Sequence, residues 1–285
     1  MDISIIIINF NTDELTIQAV ESVFKNSSDL DFEVIVVDNN SRETKLAEAL
    51  SLYPKTYFYQ LNSNVGFGNA NNYGYSKSSG NYIFLLNSDA YLIDKNTFST
   101  FVDYLKKHSD VACVGGNLMD LNHEPNISYG NFLSVERMLH DFGIKKAAND
   151  HYTQQLSTSR ICSFTEPTAV PYITAAAVLI KREIIEKYGL FNPQYFMYLE
   201  DMDMCYRYKK EGYLSVLIPE ISMVHVGGQS GLNNATFSRF VNKKIVYSKY
   251  LFLQNVTNWP TAFGLFMLGK TIPIFRRIVR KLKST

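Results

Sequence analysis

Residues 82–90 of the chain read Tyr-Ile-Phe-Leu-Leu-Asn-Ser-Asp-Ala, an apolar run that ends in three polar residues. A continuous apolar run without alternation is typical of a strand buried on both faces of a parallel sheet. Such sheets bind their ligands at the carboxyl ends of the strands. We therefore expect Asn87, Ser88 and Asp89 at a rim where a carboxylate can bind a cation or a polar ligand. The alternative is a simple turn, which all three residue types favour.

Composition excludes several classes of protein. The 285 residues carry a net charge of +1, which favours neither nucleic-acid binding nor an acidic tail. The three cysteines, Cys113, Cys162 and Cys205, are far apart and form no CxxC pair, so the sequence predicts no metal cluster or disulfide framework. Residues 3–8 are too short for a signal sequence or a membrane span. We expect a cytosolic protein with one large α/β domain, with or without an appendage.

Strand-like and helix-like segments alternate along the first half of the chain. The predicted elements are strand 3–8, helix 12–24, strand 32–37, helix 45–52, strand 57–60, a Gly/Asn-rich loop and helix over 66–78, and the strand before Asp89. This order predicts an α/β fold with a doubly wound, mostly parallel sheet flanked by helices. Further strands are predicted at 111–116, 172–180 and 214–218, with a short helix at 182–188. Residues 120–165 have weak periodicity and predict an insertion that faces the acceptor or is mobile.

Each of the first four strands ends in Asn or Asp, which predicts a polar rim along one edge of the sheet. Asp38, after the second strand, is expected to accept hydrogen bonds from a ribose or a base N–H. The alternative for Asp38 is an Asx turn or a helix cap. Residues 66–72, Gly-Phe-Gly-Asn-Ala-Asn-Asn, differ from a dinucleotide fingerprint because they follow the third strand and lack the last Gly. This argues against a Rossmann NAD enzyme, although the glycines allow close backbone approach to a ligand.

An acidic cluster follows an aromatic segment near residue 200. Glu200, Asp201 and Asp203 lie within four positions. Paired acids in apolar surroundings shift each other's pKa, and such a shift produces a general base that works near neutral pH. The alternative is an acidic helix start in which Asp203 pairs with Arg207 at i,i+4. Further along, His225 precedes Gly-Gly in a predicted loop after a Pro turn, where it is either a ligand or a structural histidine.

The positive charge is concentrated at the C-terminus, where residues 241–285 hold nine Lys/Arg and no Asp/Glu. Residues 259–275 are apolar but are interrupted by Pro260, Lys270 and Pro273, so they are too short to span a bilayer. Aliphatic and aromatic residues beside clustered cations favour an amphipathic helix at an anionic membrane surface. The alternative is a helix packed on the core with a solvated basic end.

Together these segments resemble the family 2 inverting glycosyltransferases of the GT-A fold. The resemblance is strongest to the bacterial rhamnosyltransferase-like branch of O-antigen and capsule synthesis, and it covers residues 1–230 almost continuously. The matching stretches are 5–11, 36–41, 64–74, 85–90, 196–207 and 225–230. The resemblance implies a glycosyltransferase domain over 1–240, with a nucleotide-sugar half (1–118) and an acceptor half (119–240). Residues 241–285 are then a basic helical tail.

The resemblance also implies roles for individual residues. Asp201 is implied to be the base that deprotonates the acceptor, with Glu200 supporting it or contacting the acceptor. Asp89 and His225 are implied to bind a divalent metal, Mg²⁺ or Mn²⁺. Asn87 replaces the first Asp of the family's DXD pattern, and the metal is therefore expected to bind weakly. The residues implied to bind the nucleotide or donor sugar are Asn9, Asn11, Asp38, Asn40, Gly66, Asn69, Asn87, Ser88, Asp89 and Arg207.

The implied reaction is a single in-line displacement that inverts the anomeric carbon. The Gln-x-x-Arg-Trp signature of processive relatives is absent, which implies transfer of one sugar. The resemblance favours dTDP-rhamnose as the donor, with UDP-hexoses open. The tail suggests a lipid-diphosphate acceptor at the inner face of the cell membrane. Two alternatives stay open: a sugar nucleotidyltransferase, although residues 9–14 lack the expected Gly-rich basic loop, and a non-catalytic nucleotide-sugar binding module.

Overall fold

The computed structural model describes residues 1–27, 30–144, 157–227 and 235–282. The strands are β1 (Ile3–Asn9), β2 (Phe32–Asp38), β3 (Thr56–Gln60), β4 (Tyr82–Asn87), β5 (Ala90–Leu92), β6 (Val111–Met119), β7 (Ile127–Gly130), β8 (Arg160–Ile161), β9 (Thr168–Val170), β10 (Tyr172–Ile173), β11 (Ala177–Lys181) and β12 (Leu214–His225). The helices are α1 (Asp13–Asn26), α2 (Leu46–Leu50), α3 (Phe67–Ser76), α4 (Thr97–Lys107), α5 (Val135–Asp141), α6 (Arg182–Tyr188), α7 (Glu200–Lys210), α8 (Ala235–Val256) and α9 (Trp259–Leu282).

The central sheet has the strand order β3-β2-β1-β4-β11-β6-β12-β5, and β9 pairs with β12. The long pairings β1–β2, β1–β4, β2–β3 and β6–β12 are parallel. The pairings with β11, β5 and β9 are antiparallel. The predicted mostly parallel sheet with flanking helices is therefore confirmed, and it brings the carboxyl ends of β1, β2 and β4 to one edge.

Alternate residues of the strands supply two separate cores, one on each face of the sheet. Ile5 and Ile7 face one core together with residues of α1 and α4, such as Val20 and Phe101. Ile6 and Ile8 face the other core with residues of α3, α7 and α8. This division follows from the pleat, which directs successive side chains to opposite faces. It explains why β1 is buried along its whole length and reads as an unbroken apolar run.

Two of the predicted strands differ from the observed ones. The predicted strand 172–180 is two strands, β10 and β11, and β10 belongs to a separate three-stranded sheet with β7 and β8. The predicted strand 214–218 continues through Pro219 to His225, so His225 ends a strand and does not follow a Pro turn. Proline is tolerated there because the pairing of β12 with β6 is irregular between Ile218 and Ser222, where no ladder donor is needed.

The region predicted as a weakly structured insertion, 120–165, contributes β7, β8 and α5 within its described part. Its residues 145–156 lie outside the described residues. The same holds for residues 228–230 of the predicted His-Gly-Gly loop and for residues 283–285 of the tail.

The C-terminal helices pack on the rest of the fold. Phe252 of α8 is fully buried, and its ring lies 5.5 Å from Tyr206 of α7 and 6.2 Å from Phe132. Helices α8 and α9 meet at Tyr250 and Phe266, whose rings are 4.7 Å apart. The stretch that we predicted as a tail therefore supplies part of the core. No helix among residues 1–27, 30–144, 157–227 and 235–282 is long and apolar enough to cross a membrane.

Candidate active site

A cavity of about 440 Å³ opens at the carboxyl edge of the sheet. This volume lies within the range of small-molecule and cofactor sites. One wall is formed by Asn87 at the end of β4, by Ser88 and Asp89 that follow it, and by His225 at the end of β12. Glu200 and Asp201 contribute from the start of α7. The cavity thus brings together six of the residues that the sequence singled out.

The network behind the rim is built around Asn9, whose side chain is fully buried at the end of β1. Its Nδ2 donates to Asp38 Oδ1 at 2.8 Å and to Asp13 Oδ1 at 2.9 Å. Its Oδ1 accepts hydrogen bonds from the hydroxyls of Thr12 (3.0 Å) and Thr16 (2.9 Å). All the capacity of this amide is used within the protein, so Asn9 supports the rim from below.

The predicted contact of Asp38 with a nucleotide base has to be corrected. The carboxylate is fully buried. Besides Asn9, its donors are the backbone N–H of Ser41 at 3.0 Å, the hydroxyl of Ser41, and Gln60 Nε2 at 3.3 Å. Asp38 therefore acts as the acceptor of an Asx-type turn that joins β1, β2 and β3, the alternative that the sequence left open.

Two neighbouring predictions also change. Asn11 and Asn40 are exposed, adopt left-handed backbone angles (φ 57° and 65°) and do not line the cavity. They form turns because Asn tolerates this region better than most residues. The side chains that do reach the cavity are Asn39 and Asn64, which are joined by a hydrogen bond of 3.1 Å. Neither residue was assigned a role from the sequence, although both lie inside matching stretches, 36–41 and 64–74.

Gly66 and Asn69 contact another loop of the protein and do not line the cavity, contrary to the prediction that they lie near the ribose or sugar. Gly66 has φ 90°, and a Cβ there would lie 2.1 Å from the carbonyl oxygen of Phe196. Asn69 Nδ2 donates to the carbonyl of Pro193 at 3.1 Å. The glycine is thus required for close approach, but the approaching group is the segment that leads to Glu200.

The side chains suited to a cation lie at the ends of β4 and β12. Asp89 Oδ1 and Asn87 Nδ2 each lie 3.4 Å from His225 Nε2. The short pairing of β12 with β5 sets this proximity, because Ala90 is opposite His225. Ser88 is held from behind by the Thr12 hydroxyl at 3.0 Å.

This set fits a divalent cation in part. Asn87 Oδ1 is buried and has no hydrogen-bond partner among the described residues, which suits an oxygen ligand. No cluster of three His, Cys, Asp or Glu side chains suited to a metal occurs in the described ranges. Asp89, His225 and the amide oxygen of Asn87 would therefore need phosphate oxygens or water to complete the coordination.

The acids at the start of α7 lie behind a strained turn. Tyr198 and Leu199 have φ of 68° and 67°, a left-handed conformation that costs non-glycine residues of order 1–3 kcal/mol each. Glu200 is 5% exposed, and its Oε2 has no partner within the part of the chain that the structure describes. Burial and the adjacent charge of Asp201 raise the pKa of Glu200 to about 8. Glu200 therefore carries a proton at neutral pH.

Asp201 has a different environment from Glu200. Its Oδ1 accepts from the backbone N–H of Met202 at 2.8 Å and its Oδ2 from that of Ala175 at 3.2 Å. Burial raises the pKa of Asp201, and these two hydrogen bonds oppose the rise. Two adjacent acids with unequal environments are the arrangement that separates an ionised base from a protonated neighbour. The carboxylate of Asp201 is the better candidate for the base.

The prediction that Arg207 binds the donor has to be corrected. It lies one turn after Asp203 and donates from Nε to Asp203 Oδ2 at 3.0 Å. Its remaining nitrogens donate to the carbonyls of Tyr188, Gly189 and Leu190. The guanidinium is thus committed to the protein, and the structural alternative of an i,i+4 pair is the one observed.

A mostly parallel sheet with a cavity lined by acidic side chains at its carboxyl edge defines a ligand-binding α/β protein of the doubly wound type. The family model for glycosyl transferase family 2 matches residues 4–189. The chain belongs to this family.

Comparisons with individual proteins agree with the family. An N-acetylglucosaminyl-diphospho-decaprenol L-rhamnosyltransferase of Mycobacterium tuberculosis is 36% identical over 62 residues, which cover 21% of this chain and 20% of the relative. The aligned stretch is thus about a fifth of the relative's length.

Two solved structures share the fold. The mannosyltransferase PcManGT of Pyrobaculum calidifontis, in complex with GDP-Man and Mn²⁺, has a TM-score of 0.59 at 14% identity and covers 95% of this chain and 69% of its own. GalNAc-T7 with UDP, GalNAc and Mn²⁺ has a TM-score of 0.62 at 15% identity, and the match covers 95% of this chain and 55% of GalNAc-T7. At such identities the likeness concerns the fold alone, and it agrees with the GT-A architecture expected from the sequence.

Proposed function

We propose that this protein transfers one sugar from a nucleoside-diphosphate sugar to a hydroxyl group of a glycan acceptor, with inversion at the anomeric carbon. The observation that carries the proposal is the shared cavity. Asn87, Ser88 and Asp89 line it beside His225, and Glu200 and Asp201 line it from α7. A phosphate-binding group and a general base in one cavity are what a displacement at a glycosyl diphosphate requires.

In the proposed mechanism, the oxygen of the acceptor hydroxyl bonds to the anomeric carbon while Asp201 accepts the proton of that hydroxyl. The bond between that carbon and the diphosphate oxygen breaks in the same step, so the configuration inverts. Asp89 and His225, with the oxygen of Asn87, would hold Mg²⁺ or Mn²⁺, which would neutralise charge on the leaving diphosphate. Protonated Glu200 would donate a hydrogen bond to a sugar hydroxyl. Because the chain lacks the Gln-x-x-Arg-Trp signature of processive relatives, we propose that it adds one sugar and does not polymerise.

We favour dTDP-rhamnose as the donor, because the mycobacterial relative is a rhamnosyltransferase. UDP-hexoses stay second, since a structural neighbour was solved with UDP and GalNAc. The same relative acts on a sugar attached to a diphospho-lipid, which supports a lipid-linked acceptor and a role in bacterial surface polysaccharides such as O-antigen or capsule. In this proposal, residues 1–118 bind the nucleotide sugar and residues 119–240 bind the acceptor.

A lipid-linked acceptor fits a protein bound to the inner face of the cell membrane. Trp259, Phe263 and Met267 lie on one side of α9 at i, i+4 and i+8 and are 60%, 41% and 43% exposed. The sequence that follows is rich in Lys and Arg and lacks acids. Exposed apolar side chains next to clustered cations support the proposed binding to an anionic membrane surface.

The first test is thermal stabilisation by dTDP-rhamnose, UDP-hexoses and the free nucleotides, each with Mn²⁺, with Mg²⁺ and with EDTA. A ligand that binds the folded state raises its melting temperature. We expect a rise with one diphosphate that is larger with metal. The absence of any rise would contradict both this proposal and the alternative of a non-catalytic nucleotide-sugar binding module.

The second test assigns the base. Asp201→Asn should bind the same donor but lose at least about 100-fold in transfer rate, as expected when a general base is removed. Asp103→Asn, an exposed acid on α4, is the matched control. Retention of most of the rate by Asp201→Asn would refute the base assignment.

The third test concerns the membrane. Trp259→Ser with Phe263→Ser and Met267→Ser should reduce sedimentation with vesicles that contain anionic phosphatidylglycerol. The same protein with neutral phosphatidylcholine vesicles is the control. Equal sedimentation of the wild type and the triple variant would contradict membrane binding through α9.

A further inference from the structure

The cavity has a second wall that the proposed chemistry does not use. It is formed by Asp141 at the end of α5, Lys249 of α8, and the apolar side chains of Leu133 and Met197. Helix α7 packs against α8 through Tyr206 and Phe252. Asp201 on α7 lines the same cavity as this wall and as the residues at the end of β4. An acceptor that approaches Asp201 from the side opposite the donor would contact the second wall.

Among the residues that the structure describes, one Lys or Arg side chain lines this cavity, and it belongs to Lys249. The acidic side chains there are Asp89, Asp141 and Asp201, beside the protonated Glu200. A neutral glycan acceptor has no negative group that could pair with this ammonium group. An acceptor with a negative group would be repelled by the acids unless a cation met it.

The ion pair that Lys249 makes is loose. Its Nζ lies 3.6 Å from Asp141 Oδ2, which exceeds a good N–H···O distance. Asp141 already has a closer partner, because Arg137 Nε lies 2.8 Å from its Oδ1. The side chain of Lys249 is 32% exposed. Asp141 therefore does not need Lys249 for neutralisation, and the ammonium group can turn toward a ligand.

The backbone near Lys249 is fixed relative to the acids. The hydroxyl of the preceding residue, Ser248, is buried and donates to the carbonyl of Met197 at 3.0 Å. Met197 lies three residues before Glu200 in the strained turn. Helix α8 is thereby attached to the segment that sets the position of the acids, so Lys249 is held beside the reaction site and not on a free surface.

We propose that Lys249 forms an anion subsite for a phosphate or diphosphate group attached to the acceptor sugar. The inference rests on the proposed transfer function, because it presumes that this end of the cavity receives an acceptor. It assigns the acceptor to the phosphorylated class and gives helix α8 a role in recognising it.

The test measures binding without turnover, in EDTA so that the metal-dependent donor end does not bind diphosphate. Three probes carry the same N-acetylglucosamine unit: an alkyl diphosphate, the 1-phosphate without an alkyl chain, and an alkyl glycoside without phosphate. Wild type, Lys249→Met, Lys249→Arg and Lys243→Met are compared. Lys243 is exposed on the same helix and is the matched control.

We expect the alkyl diphosphate to bind wild type, Lys243→Met and Lys249→Arg with similar Kd. Lys249→Met should bind it about tenfold more weakly, the usual effect of losing a charged hydrogen bond. The phosphate-free glycoside should be weaker and insensitive to residue 249. Strong binding of the 1-phosphate alone would identify a phosphorylated glycan as the source of the anion, and dependence on the alkyl chain would identify a lipid carrier.

Two results would overturn the inference: equal Kd of wild type and Lys249→Met for the diphosphate, or equal binding of phosphorylated and phosphate-free probes, including no binding of either. The second comparison needs only the wild type, so it stands even if a variant does not fold. Failure of the proposed function is a separate outcome, seen as the absence of stabilisation by nucleotide sugars with metal.

Discussion

Asn255 Nδ2 donates a hydrogen bond of 2.8 Å to Asp203 Oδ1 and so joins helix α8 to helix α7 two residues after Asp201. Asp203 is fully buried, and the hydroxyl of Tyr195 lies 3.2 Å from the same oxygen. Its other oxygen is paired with Arg207. A carboxylate without water contact needs such partners, because removing a charge from water costs several kcal/mol. Helix α8 thus helps to hold the helix that carries the proposed base.

Removal of the counter-charge of Asp203 should destabilise the protein strongly. Arg207→Met leaves a buried carboxylate without its cation, and we expect the free energy of unfolding to fall by about 3–5 kcal/mol. Urea denaturation at pH 7 measures the change. Lys210→Met, at an exposed position of the same helix, should change it by no more than about 0.5 kcal/mol. A loss below 1 kcal/mol in Arg207→Met would show that the pair is not the main partner of Asp203.

The raised pKa of Glu200 should make stability depend on pH. The carboxyl group titrates near 4.5 when unfolded and at about 8 in the folded protein. Between these pH values the folded state binds one more proton than the unfolded state. The free energy of unfolding is therefore highest below pH 4.5 and falls as the pH rises to 8. The slope is about 1.4 kcal/mol per pH unit at most.

Glu200→Gln removes this titration. Urea denaturation at pH 5 and pH 8 should show that the free energy of unfolding of the variant increases relative to that of the wild type as the pH rises, by up to about 4 kcal/mol. Glu211→Gln, an exposed acid just after α7, should follow the wild type. Parallel pH profiles of Glu200→Gln and wild type would mean that Glu200 is already ionised in the folded protein.

Replacement of the amide at the proposed metal site should strengthen cation binding. Asn87→Asp adds a second carboxylate beside Asp89, and a hard cation binds carboxylates more tightly than amides. We expect the Mn²⁺ concentration for half-maximal stabilisation, measured by melting temperature with dTDP present, to fall about tenfold. Asn122→Asp, an exposed residue, controls for the added charge. Unchanged Mn²⁺ dependence would exclude residue 87 as a ligand.

Gly66 should be intolerant of any side chain. Gly66→Ala places a methyl group against the Phe196 carbonyl and retains an unfavourable φ of 90°. We expect a loss of about 2–4 kcal/mol in unfolding free energy and a lower transfer rate, because the segment before Glu200 must move. Gly212 has φ 89° with open space around it, so Gly212→Ala isolates the backbone cost. Equal losses in both variants would show that the close approach has no cost.

The sequence was informative where apolar runs dictate burial. The strands β1, β2 and β4 are buried on both faces and were predicted almost to the residue. The residues Asn87, Ser88 and Asp89 follow such a strand, and for that reason their arrival at the cavity could be predicted. Glu200 and Asp201 were found by their chemistry, as adjacent acids in an aromatic segment.

The sequence did not distinguish polar side chains that face a ligand from those that face the protein. Asp38 and Arg207 are both fully engaged by backbone groups and amides from distant segments, such as Gln60 and the carbonyl of Leu190. The alternatives that the sequence offered, an Asx turn for Asp38 and an i,i+4 pair for Arg207, already contained the local partners. The distant partners come together only after the sheet and α7 are assembled, so the sequence could not decide between the alternatives. Lys249 was missed for the same reason, since it lies 48 positions after Asp201 in sequence.

The irregular pairing of β12 around Pro219 has a consequence for insertions and deletions. Side chains of a strand alternate between faces, and the shift between Ile218 and Ser222 decides on which face His225 emerges. Four positions of β12, from Ile218 to Ser222, lie against one step of β6, from Gly116 to Asn117, so β12 carries three extra residues there. Deleting one of them would leave the pairing irregular and would change the position of the imidazole relative to Asp89. The distance between these two side chains is thus encoded by the length of a segment that touches neither of them.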